Sequence, residues 1–345
     1  MGMGRSESIE MNSPRHFRFG RRSFIGASSA LGAASLLGLA RPALAEAPPE
    51  TRRIRLNGYP ATCLAPMYAA EALLRAEGFT DIEYLPPVSG VAVGPGKADM
   101  DMLAVGAVVT SIDAGAPVVT LAGMHLGCYE LFGTAQVRSI RDLKGKTIPV
   151  DGLGAPKHVL LSSMAAYVGL DPRTDINWVV RSASEGKKLF AEGKADAYLG
   201  FPPEPQELRA KGIGKVIVNT AVDKPWSQYY CCMLVSHPDF VRKYPVATKR
   251  ATRAMLKAAD LCATDSERVA RTLVAMKVTD RYDYALETLR EVRYDAWRAY
   301  DPEDAMRFHA IRLHDVGLIK TSPNRLIEKG TDWRFLNELK RELKA

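Results

Sequence analysis

Gly96-Lys97-Ala98-Asp99 and Gly193-Lys194-Ala195-Asp196 are the same four residues met twice, and their surroundings repeat as well. Upstream of the first lie Ile54-Arg55-Leu56-Asn57-Gly58, Ala65-Pro66, Gly78 and Asp81-Ile82. Upstream of the second lie Ile148-Pro149-Val150-Asp151-Gly152, Ala155-Pro156, Gly169 and Asp175-Ile176. Downstream, Gly115 before Val118-Val119-Thr120-Leu121 is matched by Gly212 before Val216-Ile217-Val218. The register advances by about 95 residues, one small domain rather than a solenoid unit. Two similar lobes in tandem imply a cleft between them, and function is expected there.

Each copy alternates strand and helix, the pattern of a mostly parallel sheet with helices on its faces. Pro66 and Pro156 suit a first helical turn, where a missing N–H costs nothing. Gly78 and Gly169 are placed to end those helices in the left-handed conformation. Ser182-Ala183-Ser184-Glu185 is a capping box for the helix that Gly193 closes. The matching piece of the first copy, Ser89 to Gly96, is poor helix material and reads as a turn.

After Asn219 the pattern changes. Tyr229 to Val235 reads as a strand, and the chain is helical from Pro238 onward, with Ala247, Ala251, Ala254, Ala258 and Leu261 forming one stripe. Lys249, Arg250, Arg253 and Lys257 lie opposite that stripe and are expected to be a solvated face, or a docking surface for a membrane partner. Asp301-Pro302-Glu303-Asp304 opens a further helix, and Trp333, Leu336 and Leu339 mark a last one. This helical third has no second lobe to pair with, so it is expected to return to the first. The chain then crosses between lobes twice, near 129–140 and near 228–236, and two crossings make a hinge.

The first 45 residues read as a leader. Arg21-Arg22-Ser23-Phe24 precedes a weakly apolar run to Ala40, then Ala43-Leu44-Ala45 offers the small residues a signal peptidase accepts. Paired arginines before so mild an apolar stretch indicate twin-arginine export. No cysteine follows the cleavage point, so no lipid anchor is expected, and the protein is expected in the periplasm. Six arginines and two glutamates lie in that leader, which leaves four of the formal eight positive charges on the rest. That is too mild for a nucleic-acid surface. The five cysteines are odd in number and show neither CxxC nor zinc spacing, so most are expected as small buried hydrophobes, with a disulfide framework possible only in part.

Ligands of parallel α/β sheets sit beyond the carboxyl ends of strands. Those places carry Tyr59 and Cys63, Gly106, Lys157 and His158, and Phe201 with Glu204. The two crossings carry His125, Cys128 and Tyr129, then Trp226, Gln228, Tyr229 and Tyr230. His125 reads either as a core histidine or as a ligand group, and Lys157 either as a solvated lysine or as an anion contact. Glu204 is expected to face water. Only one of Tyr229 and Tyr230 should face the cleft, because strand neighbours alternate. Catalytic signatures are missing: no GxSxG after the leader, no HExxH, and His309 and His314 spaced poorly for one helix face. Gly94-Pro95-Gly96-Lys97 is not a phosphate loop, since it lacks the first glycine and the Ser/Thr after lysine.

Gly58-Tyr59-Pro60, Pro66-Met67-Tyr68-Ala69, Glu77-Gly78-Phe79, Gly96-Lys97-Ala98-Asp99, Gly115-Ala116-Pro117-Val118, Ile140-Arg141-Asp142-Leu143-Lys144-Gly145-Lys146 and Phe240 with Tyr244-Pro245 together resemble the nitrate/sulfonate/taurine-type solute-binding proteins of ABC importers. The resemblance spans about 50 to 260. It implies a type II periplasmic-binding-protein fold: two similar α/β lobes joined by a two-crossing hinge, the helical C-terminal part packed on lobe 1. Residues 1–45 would be the signal peptide, 46–138 the first part of lobe 1, 139–228 lobe 2, and 229–345 the return. By position it assigns ligand contacts to Tyr59, Cys63, Gly106, His125, Lys157, His158, Phe201 and Tyr229, to which the crossings add Cys128 and Gln228. It implies a small-molecule ligand, a permease in the inner membrane, and no catalytic residue, cofactor or metal. No arginine stands clearly where nitrate or sulfonate would want a fork of donors, so the aromatic content points to an organic solute with an anionic or polar end. The same resemblance includes the pyrimidine synthases of thiamine biosynthesis, whose cysteine run is matched here only by Cys231-Cys232, and an enzyme is therefore the alternative.

Overall fold

In the first copy, short apolar runs become strands β1 (Arg53–Asn57), β2 (Asp81–Leu85), β3 (Met100–Ala104) and β4 (Val119–Leu126). Then follow β5 (Glu130–Gly133) and the second copy, β6 (Thr147–Val150), β7 (Asn177–Val180), β8 (Ala197–Gly200) and β9 (Lys215–Asn219). β10 (Tyr230–Ser236) closes the set. This computed structural model describes residues 46–87 and 92–344, so the leader and the first three residues of the Ser89–Gly96 segment lie outside it. Pro48–Ala345 form one compact unit.

The strands make three sheets, of which the two smaller ones, joined by the hydrogen bond from the Asp196 N–H to the Thr147 carbonyl, form one system. The largest runs β2-β1-β3-β10-β4, with β1 parallel to β2 and β3, and β10 antiparallel to both neighbours. The other system pairs β6 with β7 in parallel, and sets β5 antiparallel between β8 and β9. Each system thus receives one antiparallel strand from across a chain crossing. The repeat is explained at Asp99 and Asp196. Asp99 Oδ2 accepts the Arg55 N–H at 2.8 Å, and Asp196 Oδ2 accepts the Thr147 N–H at 2.8 Å. Both aspartates therefore satisfy an open donor on a neighbouring strand. Asp196→Ala leaves that donor unpaired and is expected to cost about 1–3 kcal/mol. Asp99→Ala should cost at least as much, since Arg55 Nη2 also lies 2.7 Å from Asp99 Oδ1. Urea denaturation checks both, and an unchanged midpoint in either would contradict the shared role.

The helices of the copies are α1 (Ala65–Ala69), α2 (Glu71–Ala76), α3 (Val105–Asp113), α4 (Pro156–Tyr167), α5 (Ala183–Ala191) and α6 (Glu204–Ala210). Pro66 and Pro156 sit in first turns, and Gly78 and Gly169 take φ of 103° and 86°, as their positions required. Ser182 and Glu185 form the expected capping box on α5. The tail is α7 (Pro238–Lys243), α8 (Pro245–Thr264), α9 (Ser266–Ala275), α10 (Tyr282–Glu291), α11 (Pro302–Asp315), α12 (Pro323–Gly330) and α13 (Arg334–Glu342). The alanine stripe of α8 is buried against α1 and α2 of the first sheet. α11 is different: it packs against α3 of the first copy and also against α4 of the second.

One expectation fails on α8. Lys249, Arg250 and Arg253 are not a solvated face, because their side chains are only 17%, 16% and 12% exposed. Glu77 at the end of α2, with Glu338 and Glu342 on α13, packs over them in ion pairs. Lys257 alone of the four stays substantially open, at 43%.

Candidate functional site

The two crossings run side by side. One is 127–129, between β4 and β5; the other is 220–229, between β9 and β10. Both are displaced from the sequence expectation because β5 already belongs to the second sheet system, and β10 to the first. Thr220 joins them: its N–H and its hydroxyl both donate to the Tyr129 carbonyl at 2.9 Å, and its Oγ1 accepts the Tyr129 N–H at 2.9 Å. Gly127 is required by this closeness, since a Cβ there would lie 2.0 Å from the Thr220 carbonyl oxygen.

A cavity of about 30 Å³ opens at this junction. Ala104 and Val105 wall it from the first copy, Leu160 and Thr220 from the second, Tyr129, Trp226 and Tyr229 from the crossings, and Phe308 and His309 from α11. The rings pack on one another: Tyr229 stacks on Phe308 at 3.9 Å between centroids, and Trp226 meets Phe308 edge-on at 5.6 Å. The volume holds a water or two, so the walls must part before a solute enters. A larger depression of about 290 Å³ lies among Tyr300, Asp301, Glu303, Trp333 and Lys340. It is built from the C-terminal helices alone and cannot report on the relation of the two sheets.

Polar groups at the cavity are few. His309 is buried with Nδ1 lacking a hydrogen-bond partner, and burial lowers its imidazole to about 4, so it is neutral at ordinary pH. Arg312, one turn along α11, lays its guanidinium 3.6 Å from the centre of the Phe308 ring. Its Nη1 donates to the Phe308 carbonyl, its Nε is buried without a partner, and desolvation lowers its pKa. Half-buried, it stacks on the wall residue Phe308 without itself lining the cavity. The sequence reading missed Phe308, His309 and Arg312. The available signal was an aromatic and an arginine four apart on one helix face.

The ten residues named from sequence are distributed as follows. Tyr229 lines the cavity, and so does Tyr230, contrary to strict alternation, because Tyr229 precedes the strand and only Tyr230 obeys its pleat. Tyr230 is buried and donates to the Ala296 carbonyl. Phe201 meets the cavity residue Tyr129 edge-on at 5.9 Å. Gly106 packs its backbone against α4, where a Cβ would lie 2.9 Å from Val159. Gln228 is exposed. His158 accepts the Gly154 N–H and lies edge-on to Trp178. Tyr59 Oη is 3.4 Å from the buried Asp101.

Lys157 is 1% exposed, with Nζ 2.9 Å from Glu204 and 2.8 Å from the Tyr198 hydroxyl. The expectation that Glu204 faces water therefore fails: it is the buried partner of Lys157, brought there by the first turn of α6.

Asp101 lies beneath Tyr59, fully buried, and accepts from Asn57 Nδ2 and from the Met102 N–H. Burial, only partly offset by these donors, raises its carboxyl to about 7. A folded-state pKa above the unfolded one favours the fold at low pH, and that contribution is lost as pH rises through about 7. Asp101→Asn should therefore gain stability relative to the unaltered protein between pH ~4 and ~7, by up to about 4 kcal/mol, and level off above. Chemical denaturation across that range checks the sign; a difference constant with pH would contradict it.

Cys63, His125 and Cys128 come together, although nothing in their linear spacing suggested it. Their donor atoms lie within 4.8 Å of one another, all buried, and could hold a metal ion. Cys231 Sγ lies 3.3 Å from Cys128 Sγ. All five cysteines are free thiols. The hydrogen bond from Cys128 lowers the Cys63 thiol to about 7, against the effect of burial.

This arrangement of two crossed sheet systems is that of the periplasmic binding proteins. The structure is similar to the periplasmic nitrate-binding protein NrtA from Synechocystis PCC 6803, with a TM-score of 0.73 at 14% identity over 86% of this chain and 90% of that one. It is similar to the alkanesulfonate-binding protein SsuA from Xanthomonas axonopodis pv. citri bound to MOPS, with a TM-score of 0.62 at 18% identity over 79% and 96%. A Candida albicans gene product described as exhibiting the generic periplasmic binding protein fold matches with a TM-score of 0.66 at 12% identity, over 81% and 96%. A search of curated proteins finds no match. The family model described as NMT1/THI5 like matches residues 76–268, and the chain belongs to that family.

Proposed function

We propose that this protein is an exported solute-binding protein of an ABC importer, which captures a small organic anion between two lobes and hands it to a permease in the inner membrane. The first lobe takes β1–β4, β10 and the C-terminal helices and the second takes β5–β9, in place of the 46–138, 139–228 and 229–345 division expected from sequence; residues 1–45 are a twin-arginine signal, and the working place is the periplasm, without a lipid anchor. The supporting observation is the aromatic cavity at the junction of both crossings, walled by both copies and by α11. Only a closed form can touch a solute from both sides, so binding shifts the open–closed equilibrium. Rings of Trp226, Tyr229 and Phe308 suit a flat or apolar body, and Arg312 suits its anionic end. The NrtA and SsuA likenesses favour the same reading, and no described helix is long and apolar enough to cross a membrane.

A thermal-shift screen over nitrate, alkyl and aryl sulfonates, aromatic acids and pyrimidines tests this. A true solute at 100 times its Kd stabilises the fold by about 2.7 kcal/mol. Arg312→Met should abolish the shift for anions while leaving the unliganded protein folded. A shift that survives in both Arg312→Met and Trp226→Ala would place the site elsewhere, and catalytic turnover of the bound compound would replace the binding protein by an enzyme.

A further inference from the structure

We propose that Cys63, His125 and Cys128 form a zinc-class metal site that fastens the first crossing to the first sheet. Cys63 comes from the turn after β1, His125 from the end of β4, and Cys128 from the crossing itself. Three segments far apart in sequence thus converge on one point, with donor atoms within 4.8 Å. Tetrahedral ligation at zinc–sulfur distances of ~2.3 Å sets two sulfurs about 3.7 Å apart. The trio therefore has to close by at most about 1 Å.

A second observation points to the same ion. His125 is fully buried, and its Nε2 has no hydrogen-bond partner. Its Nδ1 lies 2.8 Å from the Leu126 carbonyl oxygen, which accepts only, so Nδ1 carries the hydrogen and Nε2 presents a lone pair. A carbonyl that fixes the tautomer in this way is the usual outer partner of a metal-bound imidazole. A buried orphan nitrogen otherwise costs about 1–3 kcal/mol. Two thiolates and a neutral imidazole carry two negative charges, which a divalent ion cancels, as a dry interior requires. Ligation releases the thiol protons to solvent and involves no oxidation. Borderline, thiophilic ions of the zinc type fit this donor set, whereas magnesium and calcium do not. Cys231 Sγ, 3.3 Å from Cys128 Sγ, is the nearest fourth donor. The site abuts the cavity, whose lining includes Cys231, but it does not rest on the solute reading and survives its failure.

The full chain, with its five thiols reduced and stripped by a chelator, is titrated with Co(II). One ion per chain is expected, with thiolate-to-cobalt charge-transfer absorption in the near ultraviolet that Zn(II) displaces. Cys262→Ser alters a buried cysteine outside the cluster and should leave this unchanged. Cys63→Ser and Cys128→Ser should each weaken metal binding by about 100-fold or more and remove part of the band. X-ray absorption on the zinc-loaded, unaltered chain is independent of any variant's folding and should show an imidazole with at least two sulfurs, or three where Cys231 completes the shell. A reduced chain that gives no charge-transfer band, or a zinc shell of oxygen and nitrogen alone, overturns the proposal. So does an uptake that Cys63→Ser/Cys128→Ser leaves intact.

Discussion

Lys157→Met is expected to lower the unfolding free energy by about 3–5 kcal/mol. The methionine fills nearly the same volume, so the loss is electrostatic rather than a cavity. Lys157 Nζ lies 2.9 and 3.1 Å from the two Glu204 oxygens, 2.8 Å from the Tyr198 hydroxyl, and 4.6 Å from the centre of the Tyr198 ring. Its removal strands Glu204, whose side chain is only 13% exposed. The Phe201 N–H still donates to Glu204, but one neutral donor does not replace a cation. Neutralising both partners, Lys157→Met with Glu204→Gln, should recover most of the loss. Urea denaturation of the two single variants and the double variant gives the comparison. Additive losses would mean that the pair is not the source.

Gly127→Ala should cost about 3 kcal/mol or more, beyond the usual range for one added methyl. The obstacle is backbone: the new Cβ would lie 2.0 Å from the Thr220 carbonyl oxygen and 2.3 Å from its carbon. No rotamer relieves that contact. Either the crossings separate, which breaks the Thr220–Tyr129 hydrogen bonds, or β4 shifts against β10. The variant should therefore also weaken solute binding, because Gly127 and Thr220 both line the cavity. Gly152→Ala is the control, with its nearest neighbour a side chain at 3.8 Å, and it should be neutral within about 0.5 kcal/mol. Equal melting temperatures for the two alanine variants would contradict the close approach of the crossings.

The repeat was legible because its signals are local. Asp99 and Asp196 each bond a backbone N–H on the adjacent strand, and the glycines and prolines around them set helix ends by their own backbone preferences. Of the ten residues named from sequence only Tyr229 lines the cavity, beside Tyr129 and Trp226 of the crossings. The remainder depends on burial, which a single sequence hides. Phe308, His309 and Arg312 sit on a helix whose composition looks like any amphipathic tail. Nothing local shows that α11 lies against both α3 and α4. Glu204 and Lys249 look solvated until the opposing charge is known to fold over them. Cys63, His125 and Cys128 have no metal spacing because the turn after β1, the end of β4 and the first crossing meet in space and not in sequence.

The central claim is that a solute enters only when the two sheet systems part about their crossings. Small-angle scattering of the protein with and without a solute that raises its melting temperature tests it most directly. Because the present cavity of about 30 Å³ holds no more than a water or two, the solute-free chain should be the more expanded and should contract on binding. Identical scattering in both states, already matching this compact arrangement, would contradict the account.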